Sequence, residues 1–221
     1  MRAAQPPAGP AESPCLAADR ARTVAVVLLR PETPADHGAV RALHRAAFGD
    51  HGAVVAALAD DLRTTLLGPG PGPVPGTGDR DAARGGSWVA DHDGAVVGHV
   101  MLAPALLDAP ERLVDVLVLS PLAVLPERQR RGIGAALVAR ALAEADAQGA
   151  PLVFLEGDPG YYGRLGFLRA DEHGFRKPSL RIPDAAFQVA PLAAARPWMS
   201  GTLVYPDVFW RHDAVGLRPA G

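Results

Sequence analysis

Leu122-Ala123-Val124-Leu125-Pro126-Glu127-Arg128-Gln129-Arg130-Arg131-Gly132-Ile133-Gly134 is the stretch on which the reading of this chain turns. An apolar run ends at a proline, a basic glycine turn follows, and an apolar pattern at helical spacing begins at once and runs from Ile133 to Ala147, with Gly149 as its stop. This is a buried strand, a turn and a helix start. The first amides of a helix have no carbonyl partner and sit at the positive end of its dipole. Glycines there let an anion approach the backbone, so the segment predicts a site for a phosphate-bearing ligand. Two other phosphate loops are excluded. No Gly-x-x-x-x-Gly-Lys-Ser/Thr string exists, and the turn lacks the third glycine of a dinucleotide fingerprint.

Residues 152–168, Leu-Val-Phe-Leu-Glu-Gly-Asp-Pro-Gly-Tyr-Tyr-Gly-Arg-Leu-Gly-Phe-Leu, form the next informative block. Leu152–Leu155 is long enough for a buried strand, and Gly157-Asp158-Pro159-Gly160 is a turn. The gap between the two blocks fits one helix and one strand. Gln129-x-x-Gly132-x-Gly134 resembles the acetyl-CoA pyrophosphate loop of the GNAT superfamily of N-acetyltransferases. The wider stretch from Pro121 resembles its YhbS-like branch. Tyr162, four residues before Gly166-Phe167, resembles the superfamily's Tyr-x-x-x-Gly-Phe signature.

Composition narrows the setting. The chain has 221 residues, enough for one domain with tails, and 48% are apolar, which supports a sizeable core. A formal charge of −2 argues against a general nucleic-acid or polybasic membrane binder. No stretch approaches the ~18 consecutive apolar residues of a membrane-spanning helix, and no secretion signal is read at the N-terminus. The single Cys15 cannot form an internal disulfide; a cytoplasmic location is the simplest expectation.

Residues 1–22 read as a disordered tail, 23–205 as the domain and 206–221 as a C-terminal tail. Thr23–Arg30 predicts a strand. Thr33 and Pro34 read as cap and first position of a helix, and a second amphipathic helix spans Val54–Leu66. Residues 68–86, dense in Gly and Pro, read as a loop. Strands follow at Trp88–Ala90, Ala95–Ala103 and Leu113–Leu125, the last with a bulge or edge expected at Ser120-Pro121. After the phosphate turn and its helix come a strand at Val153–Glu156, a helical turn at Tyr161–Leu165, and strands at Phe187–Leu192 and Gly201–Tyr205. The order predicts a mixed α/β sheet flanked by helices, and it matches the GNAT topology, in which the fourth and fifth strands splay apart.

The resemblance implies transfer of an acetyl group from acetyl-CoA, as co-substrate, to a primary amine by direct attack, without a metal. It places the pyrophosphate on Arg130, Arg131, Gly132, Ile133, Gly134 and Ala135, and the pantetheine amides along Leu122, Ala123 and Val124. An alkyl amine is mostly protonated at neutral pH, so a base is needed. Glu156 is the candidate, acting directly or through water, with Asp115 and His99 as weaker alternatives and Glu127 as a surface residue. Tyr162 is the implied acid, while Tyr161 is expected to pack. A familiar asparagine before the tyrosine is replaced by Gly157–Gly160. The alternative reading is a non-catalytic acyl-CoA-binding module; a third is an unrelated domain that binds another phosphate. The acceptor, whether small amine or protein or peptide amine, is not encoded in any readable pattern. A homodimer is compatible with the resemblance.

Overall fold

The computed structural model describes residues 27–65 and 85–216. The expected tail 1–22, Cys15, and nearly all of the 68–86 loop lie outside these residues.

The chain forms strand β1 (Leu28–Pro31), helices α1 (His37–Phe48) and α2 (Gly52–Thr65), and strands β2 (Gly86–His92), β3 (Ala95–Asp108) and β4 (Leu113–Val124). Helix α3 (Ile133–Ala147), strand β5 (Leu152–Glu156) and the short helix α4 (Pro159–Tyr162) follow. Strands β6 (Leu168–Arg169), β7 (Phe175–Arg176), β8 (Phe187–Pro191) and β9 (Gly201–Val204) and helix α5 (Asp207–Arg211) complete it. The sheet runs β1-β2-β3-β4-β5-β8-β6, with β9 on the far end of β3 and β7 beside β9. It is mixed: β4 and β5 are parallel, and most other pairs are antiparallel.

Two features of β4 position the site. Its pairing with β5 is confined to Leu117↔Val153 and Val118↔Phe154, after which both strands continue unpaired with each other. The strands therefore part, and the edge of β4 from Leu119 onward is exposed to a gap. Ser120 and Pro121 lie opposite the single residue Met101 of β3, so a bulge absorbs the proline where β4 leaves β5.

Side chains alternate between two cores. Leu152 and Phe154 face a cluster with Leu58 and Leu62 of α2, Phe187, Leu203 and Phe209. Val153 and Leu155 face the other cluster, with Ile133, Leu137 and Ala141 of α3. Helices thus cover both faces of the sheet.

The expected tail at 206–221 is a correction up to Gly216. Val208 and Phe209 of α5 and Val215 are 0–1% exposed and belong to the core. Five residues of helix after Pro206 gave too short a periodic pattern to distinguish from a polar end. Strands β6 and β7, two residues each, escaped for the same reason.

Candidate active site

The turn after β4 is built as its residues require. Pro126–Arg128 make one 3-10 turn, and the Gln129 side-chain amide donates to the Val124 carbonyl at 3.1 Å, which ties the turn to the strand. Gly132 sits at φ +83 immediately before α3, a conformation that favours glycine. The first helical bond is from the Ala136 amide to the Gly132 carbonyl. Helix geometry leaves the amides of Ile133, Gly134 and Ala135 without a carbonyl one turn earlier, at the positive end of the helix.

A cleft of about 410 Å³ opens beside this helix start. Six of the sequence-assigned ligand residues line it: Leu122, Ala123, Val124, Arg130, Ile133 and Gly134. Arg131, Gly132 and Ala135 do not. Arg131 is exposed, while Gly132 and Ala135 flank the lining residues along the backbone. Arg128, Gln129, Tyr161 and Arg164 join the lining. Arg164 had no signal in the sequence, because α4 folds back toward α3 only in three dimensions.

The tyrosine pair divides its roles differently from the sequence expectation that Tyr161 packs. Tyr161 is a wall of the cleft, and its hydroxyl lies 2.5 Å from where a Cβ on Gly134 would stand. A side chain at position 134 would therefore displace the Tyr161 hydroxyl. Tyr162 is half-buried beside Gly157, with its ring 4.9 Å from Tyr161 and 5.7 Å from Phe167. Burial pushes the Tyr162 phenol well above its ordinary range, and the neighbouring Tyr161 adds to this. Burial also raises Tyr161.

Glu156 ends β5 on the α2 side of the sheet, the opposite face from α3. Its Oε2 accepts a hydrogen bond from the Gly216 amide at 3.0 Å. Its Oε1 is buried and has no hydrogen-bond partner among the described residues. Burial raises the carboxyl above its ordinary value, and the Tyr205 phenol, the Gly216 amide and Arg181 only partly offset this.

The other candidates fall elsewhere. Glu127 is exposed. Asp115 lies opposite Leu106 near the start of β4, away from Leu122–Val124. His99 is fully buried within a polar chain on the α1 side of the sheet. Its Nε2 is 2.8 Å from Ser87 Oγ, its Nδ1 is 2.9 Å from His44 Nε2, and Ser87 Oγ donates to Glu32 Oε2 at 2.5 Å. Arg63 grips Glu32 through Nε at 3.1 Å and Nη2 at 2.8 Å. Because Ser87 spends its proton on the carboxylate, His99 must carry its proton on Nε2. His99 Nδ1 is then an acceptor, and His44 must donate from Nε2. His99 is thus a satisfied structural histidine.

Among the described residues no cluster of three or more His, Cys, Asp or Glu side chains is placed to hold a metal ion, and no helix is long and apolar enough to cross a membrane.

Comparison with known proteins agrees with this geometry. The profile of the acetyltransferase (GNAT) family matches residues 55–175, over half of the chain and all of the cleft. The chain belongs to the GNAT acetyltransferase family. Among solved structures, the GNAT N-acetyltransferase YhbS from Escherichia coli in complex with CoA is 28% identical, with a TM-score of 0.69 over 85% of this chain and 93% of that one. A GNAT acetyltransferase from Brucella melitensis in complex with acetyl-CoA is also 28% identical, with a TM-score of 0.61 over 83% and 98%. Among curated proteins, the uncharacterized N-acetyltransferase YjhQ of Escherichia coli K12 is 33% identical over 101 residues, 45% of this chain and 56% of that protein. Mycothiol acetyltransferase of Nocardia farcinica is 36% identical over 118 residues, 52% and 35% respectively. The matched stretches span about half and about a third of the length of these two curated relatives.

Proposed function

We propose that this GNAT protein is an acetyl-CoA-dependent N-acetyltransferase acting on a primary amine. The observation that carries the proposal is the cleft where β4 parts from β5. There the edge of a strand, the helix start at Ile133 and Gly134 with its unpaired amides, and the arginines 128, 130 and 164 converge on one space. A strand edge suits the amides of a pantetheine arm, and helix amides with guanidinium groups suit a diphosphate. The CoA and acetyl-CoA complexes of the two structural relatives support the same ligand.

In this reading Arg130, Gly132, Ile133, Gly134 and Ala135 hold the pyrophosphate mainly through backbone amides, with Arg131 contributing long-range charge. Leu122, Ala123 and Val124 pair with the pantetheine. Glu156, directly or through water, takes a proton from the acceptor's ammonium. The freed nitrogen attacks the thioester carbonyl, a C–N bond forms as the C–S bond breaks, Tyr162 gives its proton to the departing thiolate, and the second proton of the acylated nitrogen returns to the Tyr162 phenolate, directly or through water. The high proton affinity of the buried Tyr162 phenol keeps it protonated until the thiolate departs. Tyr161 is a wall residue whose hydroxyl faces the bound ligand. A small amine and a peptide amine are both admitted as acceptors.

The test is calorimetric titration with acetyl-CoA, with CoA and ATP as controls, followed by a screen of alkyl amines, amino-acid amides and peptide N-termini. Binding of both CoA forms but not ATP, with turnover of at least one amine, is expected. Tyr162→Phe should keep acetyl-CoA binding and lower turnover by about a hundred-fold, the lower end for a general acid. Binding without turnover of any amine would leave a CoA-binding module instead. A folded sample that ignores CoA would refute both.

A further inference from the structure

The family profile ends at residue 175, yet the chain beyond it closes over Glu156. Tyr205 just past β9 and the segment after α5 reach this carboxylate, and the charge of Arg181 acts on it. The Gly216 amide donates to Oε2 at 3.0 Å. The Tyr205 phenol, 5% exposed, faces the same carboxylate. Arg181 lies close enough to act on its charge and is itself held by Asp213, Nη1 to Oδ1 at 2.7 Å. Val208, Phe209 and Val215 anchor this strap in the core.

Gly216 has φ +63, and a Cβ there would fall 2.8 Å from both the carbonyl carbon and the Cβ of Arg181. Only glycine lets the strap come down far enough to reach Oε2. The two carboxylate oxygens end in unequal settings: Oε2 is tied to the strap, and Oε1 is buried without a partner among the described residues. An unpaired buried acceptor is costly and calls for a role.

We propose that the C-terminal strap is a positioning device for the base: the Gly216 amide ties down Oε2, the Tyr205 phenol and the Arg181 charge act on the same carboxylate, and Oε1 is left as the oxygen that takes the acceptor's proton. This rests on Glu156 being the base of the proposed transfer. In the step, the N–H bond of the ammonium breaks, its electron pair stays on nitrogen, and an O–H bond forms at Oε1, directly or by way of one water. A carboxylate at the end of a strand otherwise has free torsions and no preferred oxygen. The strap removes that freedom and supplies donors that favour the ionised form. The titratable and charged groups facing Glu156 from the packed elements are Tyr205, Arg181 and, through Arg181, Asp213.

The experiment uses the full chain, acetyl-CoA and the amine turned over fastest in the screen. Tyr205→Phe, Gly216→Ala and Glu156→Gln are compared for acetyl-CoA affinity, kcat, KM and the pH dependence of kcat/KM. Tyr205→Phe and Gly216→Ala each remove or displace one donor to the carboxylate. Each should lower kcat by about ten-fold, the effect of one hydrogen bond to a charged group, with acetyl-CoA affinity unchanged. Both should move the acid limb of the profile to higher pH, because an ionised Glu156 has lost a donor. A merely structural strap would alter unfolding without moving that limb. If Gly216→Ala unfolds the chain, Tyr205→Phe decides, since it removes a single oxygen. An inactive Glu156→Gln beside strap variants with wild-type rate and profile would overturn the positioning role alone. A fully active Glu156→Gln would overturn both that role and the base, while wild-type turnover would still uphold the transferase.

Discussion

Acid should destabilise this protein through His44, and His44→Gln should remove much of the effect. His44 is 0% exposed, packed against Phe48 and edge-on to His99. Burial, reinforced by His99, lowers its pKa from 6.5 to about 3. The folded state therefore holds His44 neutral where the unfolded chain binds a proton. Stability from this group is complete above the unfolded value and is lost as pH falls from there toward about 3. Linkage across that window gives a loss of about 2 kcal/mol between about pH 7 and about pH 5, and about 4 kcal/mol by about pH 3. His99, also lowered by burial, acts in the same direction. Glu32 joins only lower down: burial pushes its carboxyl up, but His99 and Arg63 outweigh this and hold it at about 2, so its contribution is lost below its unfolded value of 4.5. Glutamine at position 44 keeps an N–H donor for His99 Nδ1 and does not titrate. Urea unfolding at a series of pH values should show the wild type losing about 2 kcal/mol more than His44→Gln between about pH 7 and about pH 5. Parallel stability curves for the two proteins would refute the reasoning.

Two further outcomes follow from the same contacts. Arg63→Ala leaves the Glu32 carboxylate, with a side chain only 3% exposed, without its cation, and should cost about 3–5 kcal/mol in chemical denaturation; a loss below about 1 kcal/mol would mean that Ser87 and His99 suffice. Gly134→Ala places a methyl 2.5 Å from the Tyr161 hydroxyl, the mobile end of a side chain, so thermal unfolding should change by less than about 1 kcal/mol while acetyl-CoA affinity drops by about ten-fold; unchanged affinity in the calorimeter would show that the wall formed by Tyr161 is not a ligand contact.

The site and the polar chain divide the sheet between them. On the α3 side, the parted strands expose backbone groups that a ligand can satisfy. On the other side, Glu32, Ser87, His99 and His44 are hydrogen-bonded in sequence, with His44 Nδ1 buried without a partner among the described residues, and Arg63 neutralises the Glu32 carboxylate. His99 entered as a candidate base because a histidine within an apolar strand carries no mark of its partners. Its neighbours come from β1's extension, α1, α2 and β2, more than ten residues away in every case.

Local chemistry made much of this protein legible from its residues alone. The span of α3 from Ile133 to Ala147, the turn built on Gly132, the bulge at Ser120-Pro121 and the order of the long elements all depend on neighbours within a few residues, so period, glycine and proline reveal them. Six of the nine residues that the family resemblance assigns to the cofactor line the cleft, since they too are neighbours along the chain. What the tertiary structure decided is orientation across distance. Whether Tyr161 or Tyr162 faces the cleft depends on how α4 docks on the start of α3, a one-residue rotation that spacing cannot resolve. That Glu156 is held by Gly216, sixty positions later in the chain, depends on the return of β9 and α5 over β5. Short elements such as α5 have too few residues to show a period, and a buried acceptor can be recognised only once the fold has brought, or failed to bring, a donor to it.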